Sequence, residues 1–370
     1  MFLAEMKRRL YTKYVLFSIL GIFMITIGLN LFITNDSKYI SENLAEEAVY
    51  EGEINEENLL RSLIKVRDEQ SDEMRYQSQV SIIHSLVNTY PGILYSENKV
   101  QDYPDELAKD FYKSWENKFE ALIKLNLPAA NQEVALEKLK EVRPPFVRYP
   151  GYYLYSTGLE NIQIIFMIIL FLVIFFASGT YSNSFEDESM EIIKGTKNYR
   201  KNMFIRILPS IFFGTALILI CTLVTIGMIS SIIGLKPLQS SFKMISLFSL
   251  GNFSIGQSIL IMMLSQLLGV IALSTLMGYI SLKTKETTKS IIWGVSFSIL
   301  YMIGSRVVSS SAGMIKGLFN LIPIASSNMF NAIRYFSFPF GIWEPYIMLI
   351  GSFIVFVIST GVLTSSIHKN

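Results

Sequence analysis

One cysteine and two histidines in 370 residues exclude several kinds of chemistry at once. Cys221 has no second cysteine to pair with, so no intrachain disulfide forms, and inside an apolar run it reads as a small packing residue. His84 and His368 stand far apart in the chain, and no HExxH motif accompanies them, which removes the usual zinc-protease site. No GxSxG and no GxxxxGK[ST] occurs, so the chain does not bind and hydrolyse ATP in the P-loop manner. No catalytic residue and no metal site is expected. Charge is scarce as well, at 17% of residues against about 25% in soluble domains, while 51% are hydrophobic. The chain is an all-α polytopic membrane protein by this reading.

The apolar residues fall into six runs, predicted as transmembrane helices over 14–33, 162–180, 207–234, 258–282, 290–305 and 346–363. None carries Asp, Glu, Lys, Arg or His in its interior, which counts against ion-coupled transport, where an ionisable group at membrane depth does the coupling. The interior polar groups are modest. Asn30 in span 1 and Gln266 in span 4 are either helix–helix contacts or weak candidates for a substrate pathway. Ser274 and Gly278, four apart, form a small-xxx-small pair that predicts close helix approach.

Residues 1–13 alternate apolar positions with Lys7, Arg8, Arg9 and Lys13 and read as an amphipathic helix on the membrane surface. The segment 34–158 is different in kind, with 22 acidic against 14 basic residues. It is too long and too polar for a connector and is expected to be a mainly helical extracellular domain of three to five helices. Leu107, Phe111, Trp115 and Phe119 recur every four residues after a Pro104–Asp105 start, and Leu122 continues the stripe. Leu59, Leu60, Leu63 and Ile64 form a second stripe, and Ile82, Ile83 and Leu86 a third. These stripes are core, or in the aromatic case a surface for substrate or membrane. The charge run Glu42–Glu57 reads as a solvated face. Within 306–345, two half-length apolar pieces, Gly313–Ile324 and Met329–Phe340, are too short to cross and are expected to re-enter from outside, with a break near Pro323.

Outside 34–158 there are 18 basic residues, of which 13 fall on the segments proposed as cytoplasmic and five (Lys236, Lys243, Arg306, Lys316, Arg334) on the short external ones. The bias places both termini in the cytoplasm of a multi-pass plasma-membrane protein and 34–158 outside.

The stretch 184–206, SFEDESMEIIKGTKNYRKNMFIR, is a dense island of charge between spans 2 and 3. Ser184 with Asp187 has the form of a capping box, and Glu186, Asp187 and Glu188 suit a helix N-terminus. Met190, Ile193 and Ile192 supply an apolar patch, Gly195 suits a C-cap, and Lys197, Arg200, Lys201 and Arg206 would face lipid headgroups. A charged cytoplasmic loop obeying the positive-inside rule explains the basic half. It does not explain the acidic capped helix.

The six-span plan and this loop resemble the membrane (permease) subunits of ABC exporters of the second exporter class, the ABC type-2 family with the type V fold. The family pattern in this loop is acidic residues, a small residue, an apolar pair, a break and then two basic residues. Glu186 and Glu188, Ser189, Ile192–Ile193, Gly195–Thr196, Arg200 and Arg206 fill those places here, with Ser189 where glycine is usual and no proline before Arg200. The paired half-helices before span 6 also resemble the family's re-entrant helices. The resemblance implies a non-catalytic permease half that pairs with a second half, identical or related, and docks two cytosolic ABC ATPase subunits, which bind ATP and Mg. It further implies that residues 185–195 form a coupling helix, with Phe185, Glu186, Glu188, Met190, Glu191, Ile193, Gly195 and Arg200 at the ATPase contact. The expected work is export of an amphipathic or hydrophobic cargo (antimicrobial peptide, drug or lipid) by alternating access, with no nucleic-acid partner. A membrane receptor whose external domain binds a peptide, or an immunity-type protein without transport, is the rival reading.

Overall fold

Long apolar helices satisfy their own backbone polar groups and can hide their side chains only against one another or in lipid. The central layer of the computed structural model is built this way throughout. The structure describes residues 2–35, 44, 47, 48, 51–69, 78–88, 103–307 and 313–369. The surface helix α1 (Phe2–Leu10) leads into α2 (Lys13–Thr34), whose N-terminus is capped by Thr12 accepting from the Val15 N–H. The other long helices are α8 (Tyr152–Ser178), α12 (Leu208–Ile233), α13 (Ile255–Thr284), α14 (Thr287–Val307) and α17 (Glu344–Lys369). Helices α8 and α13 form the inner pair, with α12, α14 and α17 packed around them and α2 held against α8 and α12. Among the described residues, five helices are long and apolar enough to cross a membrane: Lys13–Thr34, Tyr152–Glu186, Tyr199–Ile233, Ile255–Thr284 and Glu344–His368. The protein is embedded in a membrane.

Several boundaries differ from the sequence expectation, and the direction is the same each time. Helix α8 starts at Tyr152, ten residues before the apolar run at 162, and α17 starts at Glu344. Polar residues enter these helices because each has a partner: Glu160 pairs with Arg334 at 3.0 Å, and Glu344 is buried against Lys316 at 2.7 Å and Asn320 at 3.0 Å. Packing at Gly278 does not require a glycine, since a Cβ there would meet Ile207 and Tyr181 only at ordinary contact distance. Cys221 is buried in α12.

The polar segment folds as a two-stranded antiparallel ribbon, β1 (Gly52–Glu53) and β2 (Val147–Arg148), with α3 (Glu56–Glu69), α4 (Ser78–Asn88), α5 (Glu106–Lys109), α6 (Phe111–Asn126) and α7 (Ala129–Lys140). The aromatic stripe is divided at Asp110, so α5 and α6 are two helices where one was expected. Leu59, Leu63, Ile82, Ile83 and Leu86 are buried, while Ile64 is exposed. In the charge run Glu42–Glu57, expected as a solvated face, Glu47 is instead buried, accepting from the Gly151 N–H and paired with buried Arg148 at 3.1 Å. Glu42 and Glu46, with the side chains of Arg306 and Lys369, lie outside the described residues.

Phe111, Trp115 and Phe119 are core, and the core extends beyond the domain. Phe119 packs on Phe248, from the α12–α13 connection, and on Phe336, from the segment before α17, with ring centroids 5.4 and 5.5 Å apart. The Trp115 indole donates to the Leu247 carbonyl at 2.9 Å. The polar domain, the α12–α13 connection and the segment 313–343 therefore share one end of the bundle, here called the domain end. At this end Lys243 is buried with no hydrogen-bond partner for its ammonium among the described residues, 5.9 Å from the Trp115 ring. Burial pushes its pKa down to about 7. The unfolded chain then binds one more proton than the folded one between about pH 7 and pH 10.5, so stability rises with pH through that window. Lys243→Met is expected to raise the unfolding midpoint by several degrees at neutral pH and to flatten its rise toward pH 10, measured by thermal denaturation in detergent.

The segment before α17 departs from the two half-helices expected. It runs as α15 (Gly313–Asn320), a 3-10 turn over Pro323–Asn328, α16 (Met329–Arg334) and a short turn at Pro339–Gly341. Its middle is inserted into the bundle. Two glycines admit it: a Cβ on Gly269 of α13 would sit 2.1 Å from Ser326 Oγ, and one on Gly351 of α17 would sit 2.4 Å from Leu321 Cα. Gln266, eleven residues after Ile255 and so about 16 Å along α13, accepts from the Ser326 hydroxyl at 3.1 Å and donates to the Phe166 carbonyl at 2.8 Å. Asn30 donates to Thr225 of α12 at 3.0 Å. Both residues offered as substrate-pathway contacts are buried and bonded between elements, which is the helix–helix role.

Candidate functional site

At the opposite end from the domain, the stretch 182–206 forms three short helices, α9 (Ser182–Glu186), α10 (Ser189–Lys194) and α11 (Tyr199–Ile205). The capping box expected at Ser184 is not formed. Ser184 lies within α9, where its hydroxyl accepts from Arg206 at 2.5 Å, and Asp187 takes the capping work by accepting from the Ser189 N–H at 3.0 Å and hydroxyl at 2.6 Å. Those two bonds hold the Asp187 carboxyl below its ordinary pKa. The expected single helix is broken at Glu188, which takes a left-handed conformation with φ of 58°. A side chain there costs about 1–2 kcal/mol, and the turn redirects α10 relative to α9. The glycine usual at position 189 is unnecessary because the left-handed residue lies one position earlier, and Ser189 is held by Asp187.

The apolar residues of α10 divide into two sets. Met190 is buried and Ile193 partly buried against Tyr181, Met203, Ile207 and, from the far end of α17, Leu363 and Ile367. Ile192 is 76% exposed, and Glu188 and Glu191, four and one positions before it, are exposed as well. Met190 and Ile193 seat the helix; Ile192 is what it presents. Phe185 is half-buried beside Lys285, whose ammonium lies 5.3 Å from its ring, and Gly195 and Arg200 are exposed.

Glu186 faces the bundle's own next turn. Its carboxylate accepts from the Thr287 N–H at 2.6 Å, at the first residue of α14, and Asn183 accepts from the Thr287 hydroxyl at 2.7 Å. Ser281 near the end of α13 accepts from the N–H groups of Tyr181 and Ser182 at 3.0 and 2.9 Å. The buried Tyr181 hydroxyl donates to the Met203 carbonyl at 2.7 Å. The loop is thus fastened to α13, α14 and α17 as well as to the two helices it joins.

Arg206 does not face headgroups. It is buried, 3.6 Å from Glu5 of α1, because α1 folds back under the bundle. Arg9 of α1 is buried beside it, donating to Thr180 Oγ1, the Arg206 carbonyl and the Phe176 carbonyl at 3.0, 3.1 and 3.0 Å. Desolvation pushes the Arg9 guanidinium down to about 10. These partners lie more than 160 positions apart in the chain, and no local pattern marks Glu5, Arg9, Ser281 or Thr287 as members of the joint.

No group of three or more metal-ligating side chains is found among the described residues. No curated protein and no solved structure matches the chain. The family model described as ABC-2 family transporter protein matches residues 13–361, which take in every long helix and the joint between α8 and α12. The chain therefore belongs to the ABC-2 transporter family, as a membrane permease subunit of an ABC transporter.

Proposed function

We propose that α10 is the coupling helix of an ABC exporter half and that the ATPase grips Glu188, Glu191 and Ile192. The observation that carries this reading is the exposed Ile192, with exposed Glu188 and Glu191 nearby in the chain, on a helix whose other apolar residues pack on Tyr181, Met203, Ile207 and the end of α17. A push on α10 has few soft places in which to dissipate. Through Glu186–Thr287 and Tyr181–Ser281 it acts on α14 and α13, and through Arg206 on α1. Movement of these helices as rigid bodies would alternate access to a cavity between two permease halves, each with its own ATPase. An amphipathic or hydrophobic cargo suits the apolar spans.

In this reading α14 is the sixth span. Its first residue is bonded to Glu186 at the joint, and the chain beyond its end enters the domain end through α15. Six crossings put both termini and the joint in the cytoplasm and the polar domain outside. Cys221 is buried, so single introduced cysteines report cleanly. In intact cells, a membrane-impermeant maleimide is expected to label Glu116→Cys and to leave Lys197→Cys unlabelled until the cells are opened. Labelling in the reverse order would overturn the orientation.

A further inference from the structure

A cavity of about 310 Å³ opens between α1, the end of α8 and the start of α14. Arg8, Arg9, Thr12, Asn183 and Thr287 line it, with no carboxylate among the lining residues. Its height is set by the helices that end there: α2 begins at Lys13, α8 ends at Ser178 and α14 begins at Thr287. Three spans terminating together mark the level of the lipid headgroups. Tyr14 and Phe175, both on the cavity wall and both about two-fifths exposed, are aromatic side chains at that same level.

The donors in the cavity are held in place. A guanidinium has five N–H groups. Arg9, 8% exposed, uses three of them on Thr180, Phe176 and Arg206, which fixes the plane of the group and leaves two. Arg8, its side chain half-exposed, uses its Nε and one terminal nitrogen on Glu5 at 3.2 and 2.8 Å, and its other terminal nitrogen has no hydrogen bond among the described residues. Three carboxylates reach this region and each is committed: Glu5 to Arg8, Glu186 to Thr287, and exposed Asp187, close enough to feel the charge of Arg8, to Ser189. Two guanidiniums and a carboxamide around a small cavity at headgroup height match a phosphate, which accepts bidentate bonds from arginine.

We propose that this cavity holds the phosphate of an anionic phospholipid from the leaflet on the joint side of the membrane. Bound there, the headgroup bridges α1, through Arg8 and Arg9, to Asn183 and Thr287, the residues that tie α9 to α14. The lipid then stiffens the joint on which the proposed coupling depends, although its binding requires no ATPase and stands apart from that reading.

The test uses the full chain in nanodiscs of phosphatidylcholine with graded phosphatidylglycerol, read by native mass spectrometry for retained lipid and by thermal unfolding. The expected result is one phosphatidylglycerol retained in preference to phosphatidylcholine, with a higher unfolding midpoint. Arg8→Gln should weaken retention roughly fivefold, the loss expected for one basic contact, and reduce the midpoint shift at every phosphatidylglycerol content. Its midpoint in pure phosphatidylcholine should stay close to the wild type, since Arg8 is half-exposed and Glu5 keeps buried Arg206 as its partner. Lys7→Gln, on the same helix and outside the cavity, should retain the lipid. Equal retention of the two lipids, unchanged retention in Arg8→Gln, or equal loss in Lys7→Gln would overturn the proposal. So would protection of detergent-purified chain by inorganic phosphate equal to that by phosphatidylglycerol, which would make this a phosphate site.

Discussion

The double variant Ile192→Asp, Glu188→Arg is expected to lose its ATPase. Detergent-purified complex should fall apart by at least about thirtyfold in affinity, the equivalent of about 2 kcal/mol for removal of one buried apolar anchor at an interface. Stimulation of ATP hydrolysis by the permease should disappear with it. The choice of residues follows from the division of α10. Ile192 is exposed, so Asp there costs the isolated chain little, whereas Met190 and Ile193 belong to the joint's own core. Met190→Asp provides the contrast, because burying a carboxylate beside Tyr181 and Met203 should lower the unfolding midpoint of the permease alone. If Ile192→Asp, Glu188→Arg binds and stimulates the ATPase like the wild type, the coupling role of α10 is wrong. The unfolding midpoint separates that outcome from misfolding.

Removal of a single carboxylate, in Glu5→Gln, should cost about 3–5 kcal/mol, the range for orphaning buried charge. Three arginines, Arg8, Arg9 and Arg206, gather around Glu5, and two of them are buried. Without the carboxylate, Arg9 and Arg206 are left as like charges in a poorly solvated place, where Arg206 already lowers the preference of Arg9 for its charged form. Arg206→Met should therefore rescue Glu5→Gln in part. A double-mutant cycle on thermal or denaturant unfolding should return a double-variant cost well below the sum of the singles. Additive costs would mean that Glu5 acts through α1 packing alone. Since α1 was read from sequence as a helix lying on the membrane surface, a large effect at Glu5 would also mark it as part of the fold.

The contrast between α10 and α1 shows what the residues disclose by themselves. Long apolar runs located all six long helices to within a few residues at their apolar ends, because hydropathy is a sum over many side chains and tolerates local exceptions. The start of α8 was misjudged most, at Tyr152, and there Glu160 is neutralised by Arg334, far away in the chain. Lys316 does the same for Glu344 at the start of α17, while the other end of α17 simply runs on to Lys369, past the expected 363. The joint was recognisable as a site from its charge pattern and its resemblance to the family. Its internal geometry was hidden. A serine and an aspartate three apart look like a capping box whether or not Arg206 claims the serine. A glutamate in a left-handed turn has no signature that a helical glutamate lacks. Arg9 differs from Lys7 and Arg8 only in what happens to lie above it.

The domain end has a consequence for motion. Phe119 touches Phe248, which belongs to the connection leading into α13, and Phe336, which belongs to the approach to α17. Trp115 adds a hydrogen bond to the first of these. One helix of the polar domain is thus a hasp across two flanks of the bundle. Those flanks cannot part at this end unless the hasp is lifted, or unless the whole domain travels with one of them.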